Sequence, residues 1–149
     1  MIFVKPDTAE LNNMLAMVSG EDSKAKPDGS FKSSDMCFQA QFVDDGGALV
    51  ACCYCDLPTA AALGCALSMI PPGGAEAMVE DGEISSTAAE NLYEVMNILS
   101  SLFMSNTTPH LKLSEVVNET FEPLEAANSS SFNIDLGKYG NGKLLFEAA

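Results

Sequence analysis

Glu90, Glu94, Asn97 and Ser101 recur at i, i+4, i+7 and i+11. On a helix, that spacing draws them into one narrow stripe. A row of carboxylate, carboxylate, amide and hydroxyl on a rigid exposed stripe suits contact with a partner. The competing reading is an ordinary solvated helix face, and Thr87-Ala-Ala-Glu90 also matches a capping box that would occupy Glu90. Glu10-Leu-Asn-Asn13 repeats the Glu-x-x-Asn spacing nearer the start of the chain. Cys52-Cys53-Tyr-Cys55 invites a metal hypothesis, but strand alternation puts Cys53 and Cys55 on one face and Cys52 on the other. No CxxC pair or histidine cluster supplies further ligands, so core packing is the stronger reading. His110, the single histidine, follows Pro109 at the entry to a strand and reads as an exposed loop residue. Gly73-Gly74 lacks the lysine of a phosphate-binding loop.

These residues need elements to hold them. The stripe belongs to a long helix from Thr87 to about Met104, whose Leu92, Val95, Met96, Leu99, Leu102 and Phe103 form the opposite, buried face. Glu10 and Asn13 lie on a first helix capped by Asp7, carrying Leu11, Met14, Leu15 and Val18 and ended by Gly20. Residues 21–34 read as a polar connection with a turn at Pro27-Asp28-Gly29. Met36 to Val43 alternates like a half-buried strand, and Asp44-Asp45-Gly46-Gly47 supplies a hairpin turn. Ala48 to Cys55 is apolar on both faces, as expected of a central covered strand.

Asp56 or Thr59 can cap an Ala-rich helix that runs to about Ile70, before Pro71-Pro72. An acidic, Gly-bearing connection leads to the long helix. Leu111 to Val117 alternates as a strand, residues 118–131 read as a polar loop, and 132–136 and 143–146 form a last hairpin. The expected fold is therefore one α/β domain of the α+β type over residues 1–149, in the order α-β-β-α-α-β-β-β. It would have a mostly antiparallel sheet with helices packed on one face.

Composition narrows the function. Seven lysines, no arginine and 21 acidic residues give a net charge of −14. Such a field repels phosphate backbones and anionic bilayers, which argues against nucleic-acid and membrane-surface partners and leaves a protein or small ligand. No apolar run is long enough to span a bilayer. The opening residues are too few and too little apolar for a secretory signal, so a cytoplasmic location is expected. Five cysteines in mostly apolar segments read as reduced, buried thiols.

The segment Glu94-Val-Met-Asn97-Ile-Leu-Ser-Ser101 resembles the Glu-x-x-Asn helix of the CheC/CheX family of response-regulator phosphatases. Its setting is similar as well. An apolar strand ending in Asp56-Leu-Pro58 and an Ala-rich helix precede it, a short strand follows it, and the opening Phe3-Val-Lys-Pro6 leads into a helix as in CheX. The resemblance implies a protein that binds phosphorylated, CheY-like receiver domains and hydrolyses their phosphoaspartate. Asn97 would orient the water and Glu94 would pair with the receiver's active-site lysine. The protein would need no cofactor of its own, because Mg²⁺ would arrive with the receiver. CheC has two such helices, which makes Glu10 and Asn13 a second candidate site, whereas CheX-type chains use only the later helix and ordinary polar positions on an amphipathic helix are the stronger reading of this pair. CheX-type relatives pair as dimers, which makes a homodimer the expectation by analogy.

Three positions depart from the family pattern. Glu90 stands where Asp or Ser is usual, Ser101 stands where a small Gly is often found, and a Pro about two dozen residues after the Asn is missing. A catalytically inactive binding module on the same fold is therefore the second reading.

Overall fold

The structure, a computed structural model, describes residues 3–20, 23–28, 36–120, 122–124 and 128–148. Helix α1 (Thr8–Ser19) starts where the Asp7 carboxylate accepts from the Ala9 amide at 2.8 Å. It ends at Gly20, whose φ of 99° favours a residue without Cβ. Strands β1 (Lys24–Pro27), β2 (Met36–Val43) and β3 (Leu49–Cys55) follow. The β2–β3 turn is closed by Asp44, whose carboxylate accepts from the amides of Gly46 and Ala48, both at 2.9 Å. Three helices come next: α2 (Leu57–Ala66), α3 (Pro72–Asp81) and α4 (Ser86–Leu99), the last extended by a 3₁₀ turn over Ser100–Phe103. Strands β4 (Lys112–Thr120), β5 (Asn128–Asp135) and β6 (Asn141–Ala148) complete the order.

All six strands form one sheet in the order β1-β5-β6-β3-β2-β4, and every pairing is antiparallel. β3 is central, which explains its apolar character on both faces. Ala51, Cys53 and Cys55 meet the helices, while Cys52 and Tyr54 join Cys37 and Leu145 in a smaller cluster on the other face. There the segment 122–124 lies against the sheet: the Glu147 carboxylate accepts from the Leu124 amide at 3.0 Å, and the Tyr54 hydroxyl donates to the Glu122 carbonyl at 3.2 Å. The main core lies between sheet and helices. Its centre is a chain of rings, Phe42 against Phe103, Phe103 against Phe146 and Phe146 against Phe132, with centroids 5.5, 5.7 and 5.9 Å apart.

Two elements lie outside the sequence expectation. β1 buries only Ala25, and its Lys24, Lys26 and Pro27 suit an edge strand, so it carries no apolar alternation to read. α3 buries only Ala75 and contains Gly73 and Gly74, poor helix formers placed in its first turn. Of the residues read as a loop, 118–120 and 128–131 belong to strands. β4 continues to Thr120 and β5 begins at Asn128, because an edge strand and a serine-rich strand end pair through the backbone without needing apolar side chains. Part of the turn read at Pro27 to Gly29 lies outside the described residues. No helix among the described residues is long and apolar enough to cross a membrane.

Candidate functional site

The stripe stands on α4, and the packing beneath it is tight. Leu92, Val95, Met96, Leu99, Leu102 and Phe103 are all buried. Burying aliphatic and aromatic side chains of this size contributes about 1.5–3 kcal/mol each, so the rotation of the helix is firmly set. With that face inward, Glu90, Glu94, Asn97 and Ser101 are all exposed. Glu94 and Asn97 are one turn apart, a spacing that puts their Cβ atoms about 5–6 Å from each other.

The N-terminal cap differs from the sequence reading. Ser85, not Thr87, caps α4, its hydroxyl accepting from the Ala88 amide at 3.2 Å. Thr87 is inside the first turn, which leaves Glu90 on the exposed face with no capping bond. Ser85 was hard to single out because Ser85, Ser86 and Thr87 are all competent caps.

Two contacts with α2 set the position of α4. A Cβ on Gly64 would stand 2.6 Å from the Ala88 carbonyl oxygen, so the helices cross at a point only glycine fits. The Asn91 amide then donates to the Gly64 carbonyl at 2.8 Å and to the Ser68 hydroxyl at 2.7 Å. Neither residue stood out in the sequence. The available signal was a polar Asn91 next to the buried Leu92, a position where an amide needs partners.

Glu10 and Asn13 are exposed on α1, with Leu11 buried between them as Val95 is between Glu94 and Asn97. The two helices touch on the same side of the sheet, where the Ser101 hydroxyl lies 3.8 Å from the Met14 sulfur. The carboxylate-amide pairs thus share one layer but remain on separate helices.

The other residues with chemical potential are placed elsewhere. All five cysteines are free and buried. Burial pushes the Cys52 thiol up to about 11 and raises Cys53 and Cys55 as well, which keeps them protonated and unreactive. His110 is exposed, 3.2 Å from the Asp45 carboxylate, a surface pair worth little. Asp56 rather than Thr59 caps α2, accepting from the Thr59 amide at 3.1 Å.

No protein-family model and no curated protein matches the chain. Solved structures do. Thermotoga maritima FliY superposes with a TM-score of 0.63 at 13% identity, over 93% of this chain and 81% of that one. CheX from the CheX–CheY–BeF₃–Mg²⁺ complex of Borrelia burgdorferi gives 0.56 at 13% identity, over 96% and 98%. Vibrio vulnificus CheX gives 0.54 at 15% identity, over 93% of each. At such identities the likeness concerns the backbone: the chain has the CheC/CheX-like fold.

Proposed function

We propose that the chain binds phosphorylated receiver domains through the exposed stripe of α4 and hydrolyses their phosphoaspartate by orienting a water. The observation that carries this reading is the pairing of an exposed carboxylate and an exposed amide, Glu94 and Asn97, one turn apart on a rigidly packed helix of this fold. A similar chain has been solved as a CheX–CheY complex with BeF₃ and Mg²⁺. An acyl phosphate is already reactive, so the barrier is mostly one of holding the attacking water in line. The Asn97 amide accepts from the water and donates to its surroundings. It is no base, so the proton passes to a phosphoryl oxygen or to solvent. The water oxygen bonds to phosphorus, the bond from phosphorus to the aspartyl oxygen breaks, and carboxylate and inorganic phosphate are released. Glu94 pairs with the receiver's active-site lysine to fix the docking register, and the neutralisation of the phosphoryl oxygens would be supplied by Mg²⁺ arriving with the receiver. Glu10 and Asn13, exposed with the same spacing on α1, are the candidate for a second site of the same kind.

A second reading, docking without turnover, is favoured by Glu90. Its exposed carboxylate, one turn before Glu94, adds negative charge where a phosphoryl group must approach. Phosphate release from a phosphorylated receiver, with and without this protein, separates the two. Acceleration supports the enzyme, binding with an unchanged phosphoaspartate lifetime leaves the binding module, and no binding removes both.

A further inference from the structure

Tyr93 precedes Glu94, and at 39% exposure it is the only exposed tyrosine or phenylalanine among the described residues. It stands three residues after Glu90 and four before Asn97, so it neighbours both members of the stripe on the helix surface. With Ala89, Glu90, Asn91 and Glu94 it lines a shallow groove of about 610 Å³. The small side chain of Ala89 leaves the ring open to approach. The Tyr93 hydroxyl has no hydrogen-bond partner among the described residues.

The charge around this groove has one sign. Between Lys32 and Lys112 the sequence has no lysine or arginine. The charged residues that line the groove, Glu90 and Glu94, are both acidic and both exposed. An approaching surface must therefore bring cationic groups of its own. A tyrosine ring one turn from the Glu90 carboxylate suits a lysine with an apolar flank: the ring face attracts the ammonium, the carboxylate pairs with it, and the ring covers the alkyl stem. Tyrosine does this at low entropic cost, with two side-chain torsions to fix, and is enriched where interfaces concentrate their energy.

We propose that Tyr93 is the docking anchor of the α4 site, its ring seating a lysine-bearing apolar patch of the receiver domain beside the Glu90 carboxylate and leaving Glu94 to the active-site lysine. The inference rests on the receiver-docking reading above and adds a residue that selects the partner, acting in binding and not in the water attack.

The test uses the full chain, with the BeF₃–Mg²⁺ complexes of CheY-type receivers from the same organism as binding probes and the phosphorylated receivers for turnover. Tyr93→Ala should weaken binding about 10- to 100-fold, while Tyr93→Phe, which keeps the ring, should stay within about threefold of wild type. The loss should fall on Kd and KM rather than on the dephosphorylation rate at saturating receiver. Thermal melts of both variants should match wild type, because the residue is exposed. Wild-type-like binding by Tyr93→Ala would overturn the anchor while leaving the site reading in place. Tighter binding would show that the ring obstructs the partner, and would overturn it too. A wild type that binds none of the receivers removes the site reading and this inference together.

Discussion

Gly64→Ala tests the geometry that places the site, and its cost can be worked from the crossing of α2 and α4. The added methyl carbon would lie 2.6 Å from the Ala88 carbonyl oxygen, 2.9 Å from the Ala88 Cβ and 3.1 Å from the Ala88 carbonyl carbon. Reaching an ordinary contact of about 3.4 Å requires the helices to part by roughly 0.8 Å. The obstacle is backbone, so no side chain can swing aside. Overpacking of this kind costs about 1–3 kcal/mol. The same displacement strains the Asn91 bonds to Gly64 and Ser68, worth about 1 kcal/mol. Against this, alanine is the better helix former by about 1 kcal/mol. The last two terms cancel, leaving a net loss of about 1–3 kcal/mol, or roughly 3–9 °C in melting temperature for a domain of this size. Gly73→Ala in α3 is the control: its Cβ meets nothing within 4 Å, so only the propensity gain remains. Thermal and urea melts of the two variants decide the matter. If Gly64→Ala melts at or above wild type, the helices are not in contact at that point, and the placement of the stripe by α2 is wrong.

The remaining predictions concern α4 and the thiols. Leu99→Ala should cost about 2–5 kcal/mol as a cavity in the core, whereas Ser101→Ala on the exposed side should stay within about 0.5 kcal/mol of wild type; urea melts in which the two behave alike would mean a differently rotated helix. Asn97→Ala should leave receiver binding nearly intact and remove most of the acceleration of dephosphorylation, while Glu94→Lys should weaken binding itself by opposing the receiver's lysine. Equal loss of binding in both would refute the division of roles. The buried thiols make stability depend on pH. Their folded pKa values are raised, so their contribution is fully present below about pH 9 and is lost as pH rises towards 11, where Cys52 titrates in the fold. Urea melts of the reduced protein from about pH 8 to about pH 11 should show the decline, and Cys52→Ala should make it shallower, since the other raised thiols remain. A slope unchanged by the substitution would assign it to other groups.

The sequence alone determined the parts where one physical signal dominates. Helical periodicity in Leu92, Val95, Met96 and Leu99 oriented α4 and so exposed Glu94 and Asn97, because a helix has one inexpensive way to bury four apolar side chains. Alternation in β2, the two-faced apolar run of β3 and the Asp44 turn placed the middle of the sheet for the same reason. The tertiary structure decided what depends on a neighbour. β1 and the ends of β4 and β5 are held by backbone pairing along the sheet, which leaves no trace in side-chain pattern. Among Ser85, Ser86 and Thr87, the cap was chosen by where the helix could start against α2. Gly64 and Asn91 are unremarkable until α2 and α4 are brought together, and Tyr93 becomes distinctive only because the fold buries or half-buries the other tyrosines and phenylalanines among the described residues. Local pattern sets which face of an element is buried; the contact between elements sets what the remaining face can do.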